Sequence, residues 1–560
     1  MGADDGPVAR WELAGDGRNG TDGGTQADVR GEVTYGADRH PRTGRPAARF
    51  GGAGRFEVAL PAAIAAGDLT VAAWVRLPAA PTTVIGDVVS WFDRRDRRGF
   101  TLGFEHGAPC GSHGNDRMAW FGADASTVPS TQDLGRPGSA TIMVCALAAF
   151  EGALYAATWE GGPHPRGRVY RLEHGAWSDC GSPWDANAVT RLAVHDGALY
   201  AGVSRLRGGG SGLDDSANQA PGGRILRYRG GTSWEDLGQL PEADSITALV
   251  PFGGALYAAP MYSEGVFRLA ADGSWVDCGS PGRRLLALGV HRGALYGAGN
   301  DHAQVDDAIA KTKAGVVVAA RSTSGGGGVF RYRGGQAWAS CGLQPDTTQL
   351  YSVETYGDQL HVGTWPTGLV FRGDDGVSGA ADTAGGGPRW TSTGRLGDET
   401  EVMNLQAYNS MLYGGTLPHA QVYRYDGDDM WTPLATLDRT PDVRYRRAAS
   451  MVVFDGDLYV GTLPSGRVHA IRAGAVASAD RALDGGWHEL VGVRHGATVR
   501  LHVDGRLIAE RRHADLTGPI SSTGPLTIGG GPRAGFEGDI ADVRLWDRAL
   551  DADEVRTLSG

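Results

Sequence analysis

Chemistry in this 560-residue chain is concentrated in an arginine-rich run, a few tryptophans and a pair of glutamates. Arg444, Tyr445, Arg446 and Arg447 stand together in RTPDVRYRRAAS. Trp159 and Trp365, in ATWEGG and GTWPTG, offer flat rings that can stack on a pyranose, and His419 occupies the corresponding phrase GGTLPHA. Asp398, Glu399 and Glu401 (GDETEV), with Asp185 and Asn187, add oxygen ligands nearby. This set suits a sugar or another polar, partly anionic ligand. Two plainer uses compete with that reading: GTWP and GTLP recur and can simply pin turns, and the arginines can bridge neighbouring repeats. Strand alternation would put Glu399 and Glu401 on one side, as an acid–base pair requires, but such work depends on a separation set by the fold. No catalytic residue is assigned. No GxSxG, HExxH or phosphate-cradling loop is present, nor any CxxC or Cys/His group with zinc spacing.

What must position these residues is a phrase repeated along residues 141–473. It reads FEGALYAAT, HDGALYAGV, FGGALYAAP, HRGALYGAG, YGDQLHVGT, YNSMLYGGT and FDGDLYVGT. The interval, roughly 40 to 65 residues, is that of propeller blades, whereas helical solenoids usually repeat in fewer. After each phrase come a variable loop, an alternating segment such as RVYRL or GVFRY, a small turn and, in all but the last, a Trp: Trp177, Trp234, Trp275, Trp338, Trp390 or Trp431. The last repeat has no such Trp. STQDLGRPGSA (Ser130–Ala140) resembles the missing outer phrase, so residues 128–136 are expected to supply that strand and close the ring, removing an exposed edge. With strands A to D counted outward, the A–B and C–D turns are short and all length variation falls on one face, where loops usually carry function. The candidate residues lie on that face. So do the longest loops, 203–223 and 299–328, the second long enough to fold over the pore or to be a mere decoration. Turns such as ADGSW lack the initial Ser of sialidase Asp-boxes. A sialidase-like site would need arginines converging from several blades, and only one cluster is visible in the sequence.

Composition narrows the classes further. The net charge of −11 and the lack of a basic tract argue against nucleic acid and anionic membranes. With 89 glycines clustered in turns, the chain is turn-rich β protein. Cys180, Cys278 and Cys341 occupy one repeat position and would lie too far apart for disulfides, so each is expected to be a small buried residue. No run approaches a membrane span and the N-terminus does not read as a leader, so a soluble, cytoplasmic protein is expected.

The ends of the chain differ from its middle. Short alternating strands fill residues 7–122, and the pattern resumes near Trp487 with a hairpin around an Asp-Gly turn in VRLHVDGRLIAE. AARFGGAGRFEV, LTVAAWVRL, GWHELVGVRHG, PLTIGGG and GFEGDIADVRLWDRALDADEV resemble the laminin-G-like, concanavalin-A-like jelly-roll family, and the middle resembles kelch propellers, best in Val422–Leu437. The resemblance implies an all-β fold: a concanavalin-A-like jelly-roll sandwich (residues 1–123 and 485–560) with a seven-bladed β-propeller inserted at 128–474. It also implies a calcium ion held by Asp16, Asp22 and Asp542 or Asp539, solvated turn aspartates being the alternative. Trp11, Trp74 and Trp546 are expected in the core. The functional expectation is a non-catalytic recognition protein binding a glycan or another small polar ligand. The alternatives are a glycoside-active hydrolase or lyase at the loop face and a kelch-like scaffold for protein partners.

Overall fold

A sandwich cut in half along the sequence cannot bury its sheet faces until the halves meet, and their strands interleave. The computed structural model describes residues 6–18, 20–21, 25–60, 64, 67–300, 327–343, 347–374 and 389–559. In one sheet, Leu69–Arg76 lies between Glu537–Trp546 and Trp487–His495. In the other, Leu526–Ile528 lies between Arg55–Val58 and Asp87–Asp93. The inward-facing aromatics Trp11, Phe50, Phe56, Trp91, Phe100, Phe104, Phe121 and Phe536 form one core between the sheets. Trp74 and Trp546 are also buried, in small satellite clusters. Ala475–Ser478 pairs with Asn115–Ala125, so the chain rejoins the sandwich as soon as it leaves the repeats. The helix Ala552–Ser559 ends the chain, with Asp551 accepting the Glu554 N–H and Glu554 accepting the Asp551 N–H, a reciprocal cap. Among the described residues no helix is long and apolar enough to cross a membrane.

The repeats form a propeller-like arrangement of antiparallel meanders: five four-stranded sheets and one eight-stranded sheet. The eight-stranded sheet is two meanders, Thr141–Asp179 and Ala188–Gln239, joined through the single pair Trp159–Ala188. Ser130–Asp133 pairs with Val468–Arg472 as the outer strand of the last sheet. The repeated outer Trp explains how neighbouring sheets are clasped. Its indole N–H donates to a carbonyl on or just after the outer strand of the preceding four-stranded repeat: Trp234 to Cys180 (2.9 Å), Trp275 to Leu237 (2.9 Å), Trp338 to Cys278 (3.0 Å), Trp390 to Cys341 (2.8 Å) and Trp431 to Thr393 (2.7 Å). Trp177 reaches Leu134 in the same way at 3.4 Å, across the junction of the first and last repeats. The cysteines of this position are free and buried.

The sandwich covers the face of the short A–B turns. Gly253 and Gly293 donate to Pro81 and Thr82 (3.2 Å each), and Gly357 donates to Pro532 at 3.0 Å. At the centre of this contact Arg533 is buried, its guanidinium on Glu105 (2.6 Å) and 3.8 Å from Glu354. Its backbone N–H donates to Asp87 at 2.9 Å. Two carboxylates around one buried guanidinium share a single positive charge, and burial lifts both Glu105 and Glu354 to about 7.

Candidate functional site

Each innermost strand carries a β-bulge at the same register. The extra residues are Cys145, Thr190, Thr247, Leu286, Tyr351, Met403 and Ala449. A bulge turns one side chain out of the alternation. All of these line one axial cavity of about 160 Å³. Its floor comes from the sandwich: the loop between Arg98–Gly107 and Asn115–Ala125 pushes Cys110 into the channel, with a left-handed backbone at φ 49°. The loop is pinned by Asn115, which donates to the Val453 carbonyl (2.7 Å) and accepts the Val453 N–H (3.2 Å). Gly111 is required there, because a Cβ would sit 2.7 Å from the Thr247 carbonyl. At the mouth, the 203–223 loop reaches across the axis. Gly210 accepts a hydrogen bond from Arg447 at 2.7 Å, and Gly212 packs on Tyr445. Asn187 anchors the loop, exchanging hydrogen bonds with Leu206 at 2.7 and 2.9 Å.

Four arginines from separate strands and loops line the cavity: Arg191, Arg207, Arg284 and Arg447. Arg191 donates to the Thr190 carbonyl at 2.7 Å, and Arg207 lies 4.2 Å from the centre of the Tyr262 ring. Arg447 keeps a buried Nε without a hydrogen-bond partner. Among the described lining residues the opposing carboxylate is Glu401, buried, with Oε1 unpartnered, while Asp244, behind the lining, lies 3.8 Å from Arg207. Burial raises the Glu401 pKa to about 7, against the pull of Arg447. Tyr351 and Tyr262 are pushed up by burial and stay neutral hydroxyls. The thiol of Cys145 is lifted to about 12 and that of Cys110 is also raised, so neither is a thiolate nucleophile. An anion entering this space would meet fixed guanidinium donors in a partly dry setting, where they act most strongly.

The sequence candidates divide sharply. Trp365, Tyr445, Arg447 and Glu401 line the cavity together. Trp159, at the same repeat position as Trp365, does not: it is 1% exposed, packed among Met143, Cys145, Ala449 and Leu463, with Leu206 and Leu213 of the 203–223 loop over it. Its ring has no free face for a sugar. Arg446 turns away, donating from Nε to the Thr440 carbonyl (2.7 Å) and from its N–H to Pro418 (2.9 Å), and so fixes a loop. Arg444 stacks on Tyr445, its guanidinium carbon 5.2 Å from the ring centre. His419 meets Glu399, Nδ1 to carboxylate at 2.8 Å, with the half of its side chain that is exposed facing solvent. Glu399 precedes the strand that begins at Glu401, so the two glutamates are not a facing pair. Asp185 is in an exposed ion pair with Arg166.

The calcium set does not fit. Asp542 is clamped by Arg10 (2.7 Å) and Arg544 (3.0 Å), and both hold its pKa below the usual carboxylate value against the opposing effect of burial. Two guanidiniums already supply the positive charge a cation would bring. Asp539 is held bidentately by Arg49, and exposed Asp16 pairs with Arg18 at 3.1 Å. Asp22 lies outside the described residues, as does most of the 299–328 loop.

Sequence reading missed Arg191, Arg207 and Arg284, and expected a single arginine cluster where several strands contribute. Isolated arginines in alternating strands look like solvated edges. Only the bulge, repeated in register, turns this layer of the strands toward the axis, and a bulge is invisible to a period-two pattern. Superposing the repeats on the residues just before each LY phrase would have flagged the layer.

None of the curated proteins matches the chain. A family model described as the concanavalin A-like lectin/glucanases superfamily matches residues 446–556. That span covers most of the second half of the sandwich and three of the four strands of the last repeat sheet before it. Solved structures with a loose likeness include a catalytically inactive virginiamycin B lyase from Staphylococcus aureus with quinupristin, 11% identical, covering 61% of this chain and 99% of that one, TM-score 0.42. Others are the WD40 β-propeller domain of Doa1 (10%, 61% and 96%, TM-score 0.40) and YCF48 bound to a D1 peptide (12%, 62% and 97%, TM-score 0.40). At these scores none bears on function.

Proposed function

We propose that the chain is a recognition protein that binds a small anionic ligand, most simply an acidic sugar, in the axial cavity of a seven-bladed, kelch-like propeller carried by a split jelly-roll. The observation that carries this reading is the cavity wall: four arginines against one glutamate whose burial keeps it near neutrality. Counting the two meanders of the eight-stranded sheet separately supports seven blades, with domain limits at 1–123, 128–474 and 485–560. Trp365 and Tyr445 beside the arginines supply the ring surface a pyranose would use. The cavity is small beside drug-sized sites of about 300–1,000 Å³, so a monosaccharide acid or smaller is the expected size.

A thermal-shift screen pairing each acidic sugar with its neutral parent tests this reading. A rise confined to acids and lost in Arg447→Met supports it; equal shifts for acid and neutral members refute it. One observation favours a second reading, a lyase or hydrolase working in the same cavity. A buried carboxyl titrating near 7 is suited to general acid–base work, and turnover of an acidic glycan that stops in Glu401→Gln would establish it.

A further inference from the structure

The loop that floors the axial cavity is flanked by a second cluster that the ligand-binding reading does not use. His106 is the next-to-last residue of the strand Arg98–Gly107, Asp116 the second of Asn115–Ala125, and His113 lies in the loop between them. A register shift between the two strands gathers the first two side chains. His106 Nδ1 is 3.1 Å from Asp116 Oδ1, and the two imidazoles are 4.5 Å apart, edge to face. One donor atom from each of the three residues lies within 4.8 Å of the others, and all three side chains are buried.

The hydrogen bonds define which atoms are free. His113 Nδ1 donates to the Val194 carbonyl at 2.9 Å, so its proton sits there and Nε2 carries the lone pair. That Nε2 is buried without a partner. An imidazole whose other nitrogen donates to a backbone carbonyl is the usual arrangement of a metal-ligating histidine. Asp116 has a similar outer support, Arg117 reaching Oδ2 at 3.5 Å. Ligands on a four-coordinate zinc, with bonds of about 2.0–2.2 Å, stand roughly 3.4 Å apart; the His106–Asp116 pair at 3.1 Å is close to that, and His113 lies within 4.8 Å of both. Two nitrogens and one carboxylate suit a first-row divalent ion better than calcium or magnesium, which prefer oxygen alone.

We propose that His106, His113 and Asp116 form a site for a divalent transition metal, with zinc as its natural probe, that locks the cavity-floor loop of the sandwich against the propeller-like domain. The lock works because His113 is already docked on the repeats: its carbonyl accepts the Val194 N–H at 2.9 Å, and it bridges to Ala193. A metal joining it to His106 and Asp116 would fix, within the sandwich, the loop whose backbone makes this contact with the repeats. The three ligands are invisible as a zinc motif because a bulged hairpin, rather than a short local turn, assembles them.

The test uses untagged full-length protein stripped with chelator and desalted. Zinc and cobalt(II) are titrated in, and uptake is read by elemental analysis, by the visible absorption of bound cobalt and by melting temperature. The proposal expects about one ion per chain, a cobalt band typical of low coordination, and a zinc-dependent rise in melting temperature. His113→Gln and Asp116→Asn should each weaken uptake by roughly 100-fold or more while keeping the native hydrodynamic size. His488→Gln, which alters a histidine–aspartate group elsewhere on the sandwich, should leave metal uptake and the zinc-dependent shift unchanged. If a ligand variant fails to fold, the stripped wild type decides. Absence of a cobalt band together with no zinc-dependent shift overturns the site, as does uptake unchanged in both folded ligand variants.

Discussion

Replacing Glu401 by Gln should stabilise the protein in alkali and leave it nearly unchanged in acid. The side chain is 3% exposed and its Oε1 has no hydrogen-bond partner, so ionising it in place is costly. Burial raises it from 4.5 to about 7, with Arg447 the opposing attraction. Arg191, Arg207, Arg284, Tyr262, Tyr351, Tyr445, Cys110 and Cys145 are the other charged and titratable groups lining the cavity. A change of this size is worth roughly 3 kcal/mol. Because the folded pKa is the higher one, the folded state binds more protons between the two values. The contribution is therefore complete below the unfolded pKa near 4.5 and is lost as pH rises through about 7. Glutamine has the same shape and no proton to lose. The stability of Glu401→Gln relative to wild type should thus grow by roughly 2–3 kcal/mol from about pH 5 to about pH 8. Urea unfolding of both proteins across that range, compared at a common slope, measures the difference. A gap that stays constant with pH would refute the reasoning, because it would mean that Glu401 is ionised throughout, in better contact with the arginines than its surroundings show.

Other consequences follow from separate parts of the molecule. Arg533→Met should cost about 3–5 kcal/mol, since it leaves Glu105 and Glu354 buried without their cation; urea unfolding reads it, and a loss below about 1 kcal/mol would contradict the shared-charge account. Trp234→Phe removes the donor to the Cys180 carbonyl and should cost about 1–2 kcal/mol, whereas an unchanged melting curve would mean that the clasp between repeats is mere proximity. Millimolar calcium should leave the melting temperature where it is, because Arg10 and Arg544 already hold Asp542. A calcium-dependent rise lost in Asp542→Asn would overturn that assignment.

Much of the architecture could be read from the chain because it rests on local chemistry. The LY phrases, Gly-containing turns and outer tryptophans repeat, and each Trp has the same structural task, a hydrogen bond to the repeat before it. The split sandwich was legible from strand patterns that resume after the repeats. The site was legible only in part. Trp365, Tyr445, Arg447 and Glu401 came from loop-face reasoning, but Trp159 shares the position of Trp365 and is buried by a loop whose path no repeat dictates. Arg446 and Arg447 are adjacent, and only backbone geometry decides that one pins a turn while the other lines the cavity. Cys110 and His113 act through contacts with the other domain, which no periodicity in either domain reports.

The most direct test of the central claim is a crystal structure of the wild-type protein with the acidic sugar that gives the largest thermal shift. The account predicts the ligand in the axial cavity above Cys110, with its carboxylate against Arg447 and its neighbouring arginines. Ligand density on the sandwich, or on the rim with the cavity filled only by water, would contradict it.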